Sequence, residues 1–303
     1  SQDFLRRTHI FGLRYCRGAS VEDFARIVRA FKDAGADIDH VDYYGNTLLL
    51  LAQQDNLGAA LVEAGACVNY DWQESSKRGL ANAAVFACTR TIDAIVASRR
   101  DLPDRIQQEY LDSCFDQAAK MLAYNSEIND MAGLVKLVVD YGANPNKWNT
   151  LHYCVRSNPV LVSTLISLGA NTDTLAWKFY RGVKNTPLHR VNDMVCVEVF
   201  DALVFGRGHG VAKTDFNARD GSGATPLMAL MKIKSLLHSD DVMMTKFNWL
   251  VERGGASCLP RDGNGKRVSS MIRSKYSPFK EVIAARIKHE NWLKRRGLVL
   301  LRE

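Results

Sequence analysis

In the segment VEDFARIVRAFKD, 21–33, the apolar residues Val21, Phe24, Ile27, Val28 and Phe31 fall at helical spacing and predict an amphipathic helix. That helix runs into the first of several similar endings: an apolar pair, a charged or small residue, Gly-Ala and a short polar tail. The ending reads FKDAGADID at 31–39, LVEAGACVN at 61–69, VVDYGANPN at 138–146 and LISLGANTD at 165–173, with a looser copy, LVERGGASC, at 250–258. Its glycines, Gly35, Gly65, Gly142, Gly169 and Gly254, are 30, 77, 27 and 85 residues apart. Each stands just past a predicted helix, where left-handed backbone is needed and glycine supplies it at least cost.

A second pattern lies between these copies: GNTLLLLA at 45–52, NTLHYCV at 149–155, NTPLHRV at 185–191 and ATPLMAL at 224–230. Thr47, Thr150, Thr186 and Thr225 take the position where a helix starts and a hydroxyl can accept from the orphan N–H groups of the first turn. Pro187 and Pro226 follow at the first helical position, where a missing N–H costs nothing. Cap, short helix, turn, second helix, glycine stop and polar hairpin make one supersecondary unit of about 30 residues.

On these motifs the chain resembles the ankyrin-repeat family, whose signature T-P-L-H is complete at 186–189 and lacks only the proline at 150–152. The resemblance implies an all-α fold: an ankyrin-repeat solenoid of about six to seven helix-turn-helix units with β-hairpin-like finger loops, several of them atypical. The expected organisation is a single array over 1–303. It comprises an N-terminal capping unit at 1–41, repeats at 42–69, 70–98, 99–147, 148–173, 174–220 and 221–262, and a C-terminal capping unit at 263–303. The worn first helix is sought in FLRRTHIFGLRYC at 4–16, a long helix near 104–123, and a basic amphipathic helix near 278–296. Repeat 174–220 has GRGHGVAKTDFNARD in place of a glycine stop, and 221–262 carries the polar, Met-rich insertion KIKSLLHSDDVMM.

Composition changes this picture little. Hydrophobic residues make up 47% and charged residues 24%, as in ordinary globular proteins, which excludes a wholly disordered chain. The net charge of +7 is mild for a dedicated nucleic-acid binder. Seven widely spaced cysteines without a CxxC pair read as buried free thiols of a reducing compartment. The opening SQDFLRRTHIFGLRYC has no apolar core before a cleavage site, so no signal peptide is expected, and no apolar run is long enough to span a membrane. An intracellular, cytoplasmic protein is expected, or a protein of the host cytosol if it is an effector.

No catalytic, cofactor-binding or metal-ligating residues are expected. His152 and His189 lie inside the repeat motif, where the resemblance implies hydrogen bonding within and between units. His9, His40, His209, His238 and His289 lack metal-ligand spacing. GRGHG at 206–210 and GNGK at 263–266 match neither a dinucleotide fingerprint nor a P-loop. Aromatic residues in the loops before each cap are the better lead: Tyr43, Tyr44, Trp72, Trp148, Trp177, Phe179 and Tyr180. In the family these loops form projecting fingers, which with the exposed face of the first helices make a concave partner-binding surface. Trp, Tyr and Arg dominate binding hot spots, so exposed aromatics there would be anchors; buried under irregular loops they would be core. Gln54, Asp55, Arg156, Asn192 and Asp193 follow the motif on the concave side.

The resulting expectation is a non-enzymatic protein-interaction scaffold or adaptor. Its partners are one or more proteins rather than a small-molecule substrate, nucleic acid or a membrane, and it acts as a monomer. In its degeneracy it is similar in style to pathogen effectors and viral host-range factors. Two alternatives stay open: the recognition domain of an enzyme with chemistry in 99–130 or elsewhere, and a nucleic-acid or anionic-surface binder using Arg295, Arg296 and nearby lysines.

Overall fold

The computed structural model describes residues 9–68, 75–125, 127–177, 184–190, 197–205, 214–232, 240–271 and 277–296. Their packing divides the chain into two compact units, Ser1–Thr150 and Leu151–Glu303.

Unit one is built from helix pairs. A 3-10 turn, His9–Tyr15, is followed by α1 (Val21–Asp33), then α2 (Leu48–Leu51) and α3 (Asp55–Glu63). α4 (Ser75–Val85) pairs with α5 (Thr89–Ala97), and α6 (Asp104–Tyr124) with α7 (Ala132–Val139). The first members of the pairs form one row, in which the 3-10 turn meets α2, α2 meets α4 and α4 meets α6. The second members form another, running α1, α3, α5, α7. The sequence pattern explains both rows. Phe24 and Val28, one turn apart, are fully buried on α1, as are Leu57 and Leu61 on α3. Ile10 and Leu13, three apart, bury the worn 3-10 turn. Ser20 caps α1 by accepting from the Asp23 N–H at 3.1 Å, and Thr47 caps α2 through the Leu50 N–H at 3.3 Å.

Unit two repeats the plan. α8 (Thr150–Cys154) and α9 (Pro159–Ser167) lead to a finger made of two short strands, β1 (Ala176–Trp177) and β2 (Lys184–Asn185). The strands pair antiparallel, Ala176 against Asn185 and Trp177 against Lys184. A 3-10 turn (Pro187–Arg190) carries the PLH motif and is followed by α10 (Val197–Phe205). Next come α11 (Pro226–Met231), capped by Thr225, and α12 (Asp240–Asn248) with a π-turn at Trp249–Arg253. The Met-rich insertion is helical from Asp240 onward, with Met243 buried, and Phe247 of the same helix is buried too. α13 (Val268–Met271) and α14 (Ser277–Arg295) close the unit.

The expected glycine stops are present, with φ of +83° at Gly35, +85° at Gly65, +71° at Gly142 and +95° at Gly169. The fifth is displaced. Gly254 has φ −80°, and the left-handed residue is Gly255 at +66°. The wider π-turn inserts one extra residue before the stop, so the second glycine of GGA takes the role.

Polar side chains, two of them four residues after a glycine stop, hold the N–H groups of the tails. The Asp39 carboxylate accepts from the Cys67 N–H of the next tail at 2.7 Å. Asp173 accepts from Asp215 N–H at 2.9 Å, and the Asn217 side-chain carbonyl from Ser257 N–H at 2.7 Å. In the atypical repeat 99–147 the acceptor comes from a helix: Asp112 of α6 accepts from Asn144 N–H at 2.7 Å. At the far end Glu290 of α14 accepts from Cys258 N–H at 3.1 Å and Ser257 Oγ–H at 2.6 Å. Each bond satisfies a tail N–H that the turn itself leaves without a partner.

Candidate functional site

The tip of the first described finger is fixed by one aspartate. Asp42 Oδ1 accepts from the Tyr44 and Asn46 N–H groups, both at 2.8 Å, while Asp42 N–H donates to Asn46 O at 2.9 Å. Gly45, at φ +78°, allows the chain to reverse there. The same Asx-turn recurs at Asp220, which accepts from Ser222 and Ala224, and at Asp262, which accepts from Asn264 and Lys266. At 42–46 the fixed turn holds two large rings in solvent. Tyr43 is 97% exposed and Tyr44 82%, in an edge-on pair with centroids 5.4 Å apart.

Immediately after this tip the chain enters the first-helix row. Asn46 and Leu50 of the second repeat, Asn82 of α4, and Gln117, Met121 and Tyr124 of α6 line a groove of about 510 Å³. Leu50 O accepts from Asn82 Nδ2 across the row, which ties α2 to α4 beneath the groove. Met121 is 38% exposed and Tyr124 91%, so the α6 side carries apolar surface in solvent. Lys120 on the same rim is paired with Asp116 at 2.6 Å. The groove is largely apolar with a few amides, the composition of a site that takes a side chain of a partner.

Gln54 and Asp55 make bonds between repeats. Gln54 Nε2–H donates to Arg14 O at 2.7 Å, toward the preceding unit. Asp55 Oδ1 accepts from Thr91 N–H at 2.8 Å and Oδ2 from Arg90 N–H at 3.1 Å, so it caps α5 of the following unit. Neighbouring Asn56 donates to Ala19 O and accepts from the Arg90 guanidinium, each at 2.9 Å. This polar loop is inter-repeat wiring. Nothing in its residue types separates that role from a binding surface; only the position of the next helix start reveals it.

Of the other sequence candidates, Trp148 is 43% exposed in the turn before α8, and Arg156 is exposed after it. Trp177 lies on β1, with its side chain outside the described residues. Trp72, Phe179, Tyr180, Asn192 and Asp193 lie outside them altogether, as do the GRGHG loop and Cys196. Cys88, Cys114, Cys154 and Cys258 are buried, but Cys16 and Cys67 are exposed, so the reading of every cysteine as a small core residue does not hold. Burial pushes the Cys88 and Cys258 thiols up to about 12. Among the described residues no group of three His, Cys, Asp or Glu side chains could hold a metal ion, and no helix is long and apolar enough to cross a membrane.

The motif histidines are decisive for the fold. His189 Nε2–H donates to Ala224 O at 2.9 Å, in the following repeat, which leaves Nδ1 to accept from Thr186 Oγ1–H at 2.8 Å. His152 Nε2–H donates to Asn185 O at 2.8 Å, again one repeat on. Threonine, histidine and the next finger are thus bonded in series, and glycine stops close the paired helices.

The fold is the ankyrin-repeat fold.

Among solved structures the chain is similar to the ankyrin repeat domain of Bcl-3, a member of the IkappaB protein family, at 19% identity and a TM-score of 0.47, covering 74% of this chain and 92% of that one. It is also similar to the human ASB11 ankyrin repeat domain, at 16% identity and a TM-score of 0.41, covering 89% and 98%. No family model matches the sequence, and no curated protein matches it. In ankyrin-repeat terms, Tyr43 and Tyr44 form a finger tip, and the groove lies along the first helices α2, α4 and α6.

Proposed function

We propose that this protein is a non-enzymatic protein-interaction scaffold or adaptor whose unit one grips a partner protein between the Tyr43–Tyr44 finger and the groove of α2, α4 and α6. The observation that carries this reading is the exposure of two adjacent tyrosines on a turn in which the Tyr44, Gly45 and Asn46 N–H groups are all bonded to Asp42. Rings held out of water-excluding contact by a rigid tip lose little conformational entropy on docking, and burying them recovers their apolar area. The groove behind the tip supplies the place for a partner's own anchor.

The carboxylates that an enzymatic reading would use support the same conclusion. Asp112 and Asp116, buried on α6 in the stretch 99–130, are bonded to Asn144 N–H and Thr150 Oγ1–H respectively. Both serve the stack. Trp148 and Arg156 are retained as candidate contacts on exposure alone; Trp72, Trp177, Phe179, Tyr180, Asn192 and Asp193 are retained from the sequence pattern. The effector or host-range role and a cytoplasmic site of action have sequence style as their support.

The test is site-specific crosslinking. A photoreactive phenylalanine analogue at Tyr44 or Met121 is expected to trap the same protein from lysate, while the analogue at Tyr15, exposed but away from the groove, traps it weakly or not at all. Equal trapping at all three positions would reject the surface.

A further inference from the structure

We infer that the outer face of the C-terminal helix α14 is a docking surface for an acidic peptide segment of a partner protein. This surface is separate from the groove of unit one and does not depend on it.

The helix has two unlike sides. On the inner side Ile283 and Glu290 are buried, and the Glu290 carboxylate holds the last repeat through Ser257 and Cys258, with the Arg286 guanidinium 3.5 Å away. That side performs the capping role that an ankyrin stack requires at its end. Capping accounts for Ile283, Ile287 and Glu290. It does not account for the other side, where Lys280, Lys288, Arg295 and Arg296 are all exposed. Glu281 is the one exposed acid on the helix.

Spacing gives the face its shape. Lys280, Ala284, Lys288, Trp292 and Arg296 follow one another at four-residue intervals and so form a row that winds about 40° per step around the exposed side of the helix. At 1.5 Å per residue the cations span roughly 24 Å, the length of about seven residues of extended chain. Ala284 leaves the row low between Lys280 and Lys288. Trp292 is 47% exposed, with Arg296 over its ring at 4.4 Å and His289 stacked with it at a 6.3 Å centroid distance.

Charge complementarity calls for an anionic occupant, and the same residues select among anions. Single-stranded nucleic acid binds aromatic–basic surfaces by stacking bases on free rings, and here the exposed Trp292 ring is already engaged by Arg296 and His289. An anionic membrane binds a basic helix whose broad apolar face can enter the lipid, and on α14 Ile283 is buried against the protein, leaving Val282 and Trp292 as its exposed large apolar residues. A flexible acidic segment requires neither a free ring nor an apolar face. It needs cations in a row at the pitch shown.

The experiment titrates full-length protein with fluorescein-labelled deca-glutamate, read by anisotropy at low salt, beside decauridylate and mixed phosphatidylserine–phosphatidylcholine vesicles. Deca-glutamate is expected to bind. The triple variant Lys288→Glu, Arg295→Glu, Arg296→Glu should weaken it by about tenfold or more. A control triple, Arg29→Glu, Arg100→Glu, Arg105→Glu, makes the same change in net charge on exposed residues elsewhere and should weaken it far less. Thermal melts establish that both variants fold; should the first melt early, its neutral counterpart with three glutamines makes the same comparison. The inference is overturned by absent deca-glutamate binding, by equal losses in the two triples, or by tighter binding of decauridylate or vesicles.

Discussion

Asp55 shows how one side chain joins two repeats. Its carboxylate accepts the Arg90 and Thr91 N–H groups in the first turn of α5 while its own backbone begins α3, so removing it unsettles a helix start one repeat away. Asp55→Ala is expected to lower unfolding free energy by about 1–2 kcal/mol, measured by urea denaturation, because a charged cap is lost and two amides lose their acceptor. Asp262 has the corresponding role in a finger turn, with a pH signature. Backbone N–H donation from Lys266, aided by Asn264 and Lys232, holds its carboxyl below the ordinary 3.8 despite burial. A depressed folded value means the turn's stabilisation is present above the ordinary value and lost as pH falls through the folded one. The stability gap between wild type and Asp262→Ala is therefore expected to be wide near about pH 7 and to narrow toward about pH 3. A constant gap would contradict the charge-based account. Such roles are poorly legible in sequence. An aspartate after a helix reads the same whether it caps a neighbour or faces water, and Gln54 and Asp55 read as partner-facing for that reason.

At the scale of the element, the legible features were those with a local cause. Thr47 and Thr225 cap as their sequence implies, and four glycine stops take the left-handed conformation that the Gly-Ala ending implies. The long helix near 104–123 is Asp104–Tyr124, and the basic one near 278–296 is Ser277–Arg295. What sequence reading missed depends on non-local geometry. A π-turn shifted the last stop to Gly255, and the Thr150 hydroxyl donates to buried Asp116 at 2.8 Å rather than reading simply as a cap. α7 approaches α4 closely at one glycine. Gly133 is buried there, and a Cβ added to it would collide with the Ala84 backbone carbonyl. Gly133→Ala is expected to cost about 1–3 kcal/mol in a denaturant melt, because neither backbone can yield cheaply. A neutral result would mean that the two helices are looser than described.

For the whole molecule, a stack of helix pairs puts the polar and aromatic residues to three uses that composition cannot separate. Some link one repeat to the next, as Asp39, Asp173 and Asn217 do. Others fix finger turns, and a remainder is left in solvent. The fold class could be read from four threonines and a handful of glycines, because each marks a helix end by local chemistry. The candidate site could be read only in part: Tyr43 and Tyr44 stand out as loop aromatics, but the groove beside them is assembled by α2, α4 and α6 from residues up to 78 positions apart, Asn46 to Tyr124. The central claim is that this finger and groove form the partner-binding face. Its most direct test is quantitative affinity capture from lysate with the double variant Tyr43→Ala, Tyr44→Ala beside wild type, each confirmed folded by its melting curve. The predicted result is an unchanged melt and loss of most of the specifically captured partner. Retention of every wild-type partner at full yield would contradict the account.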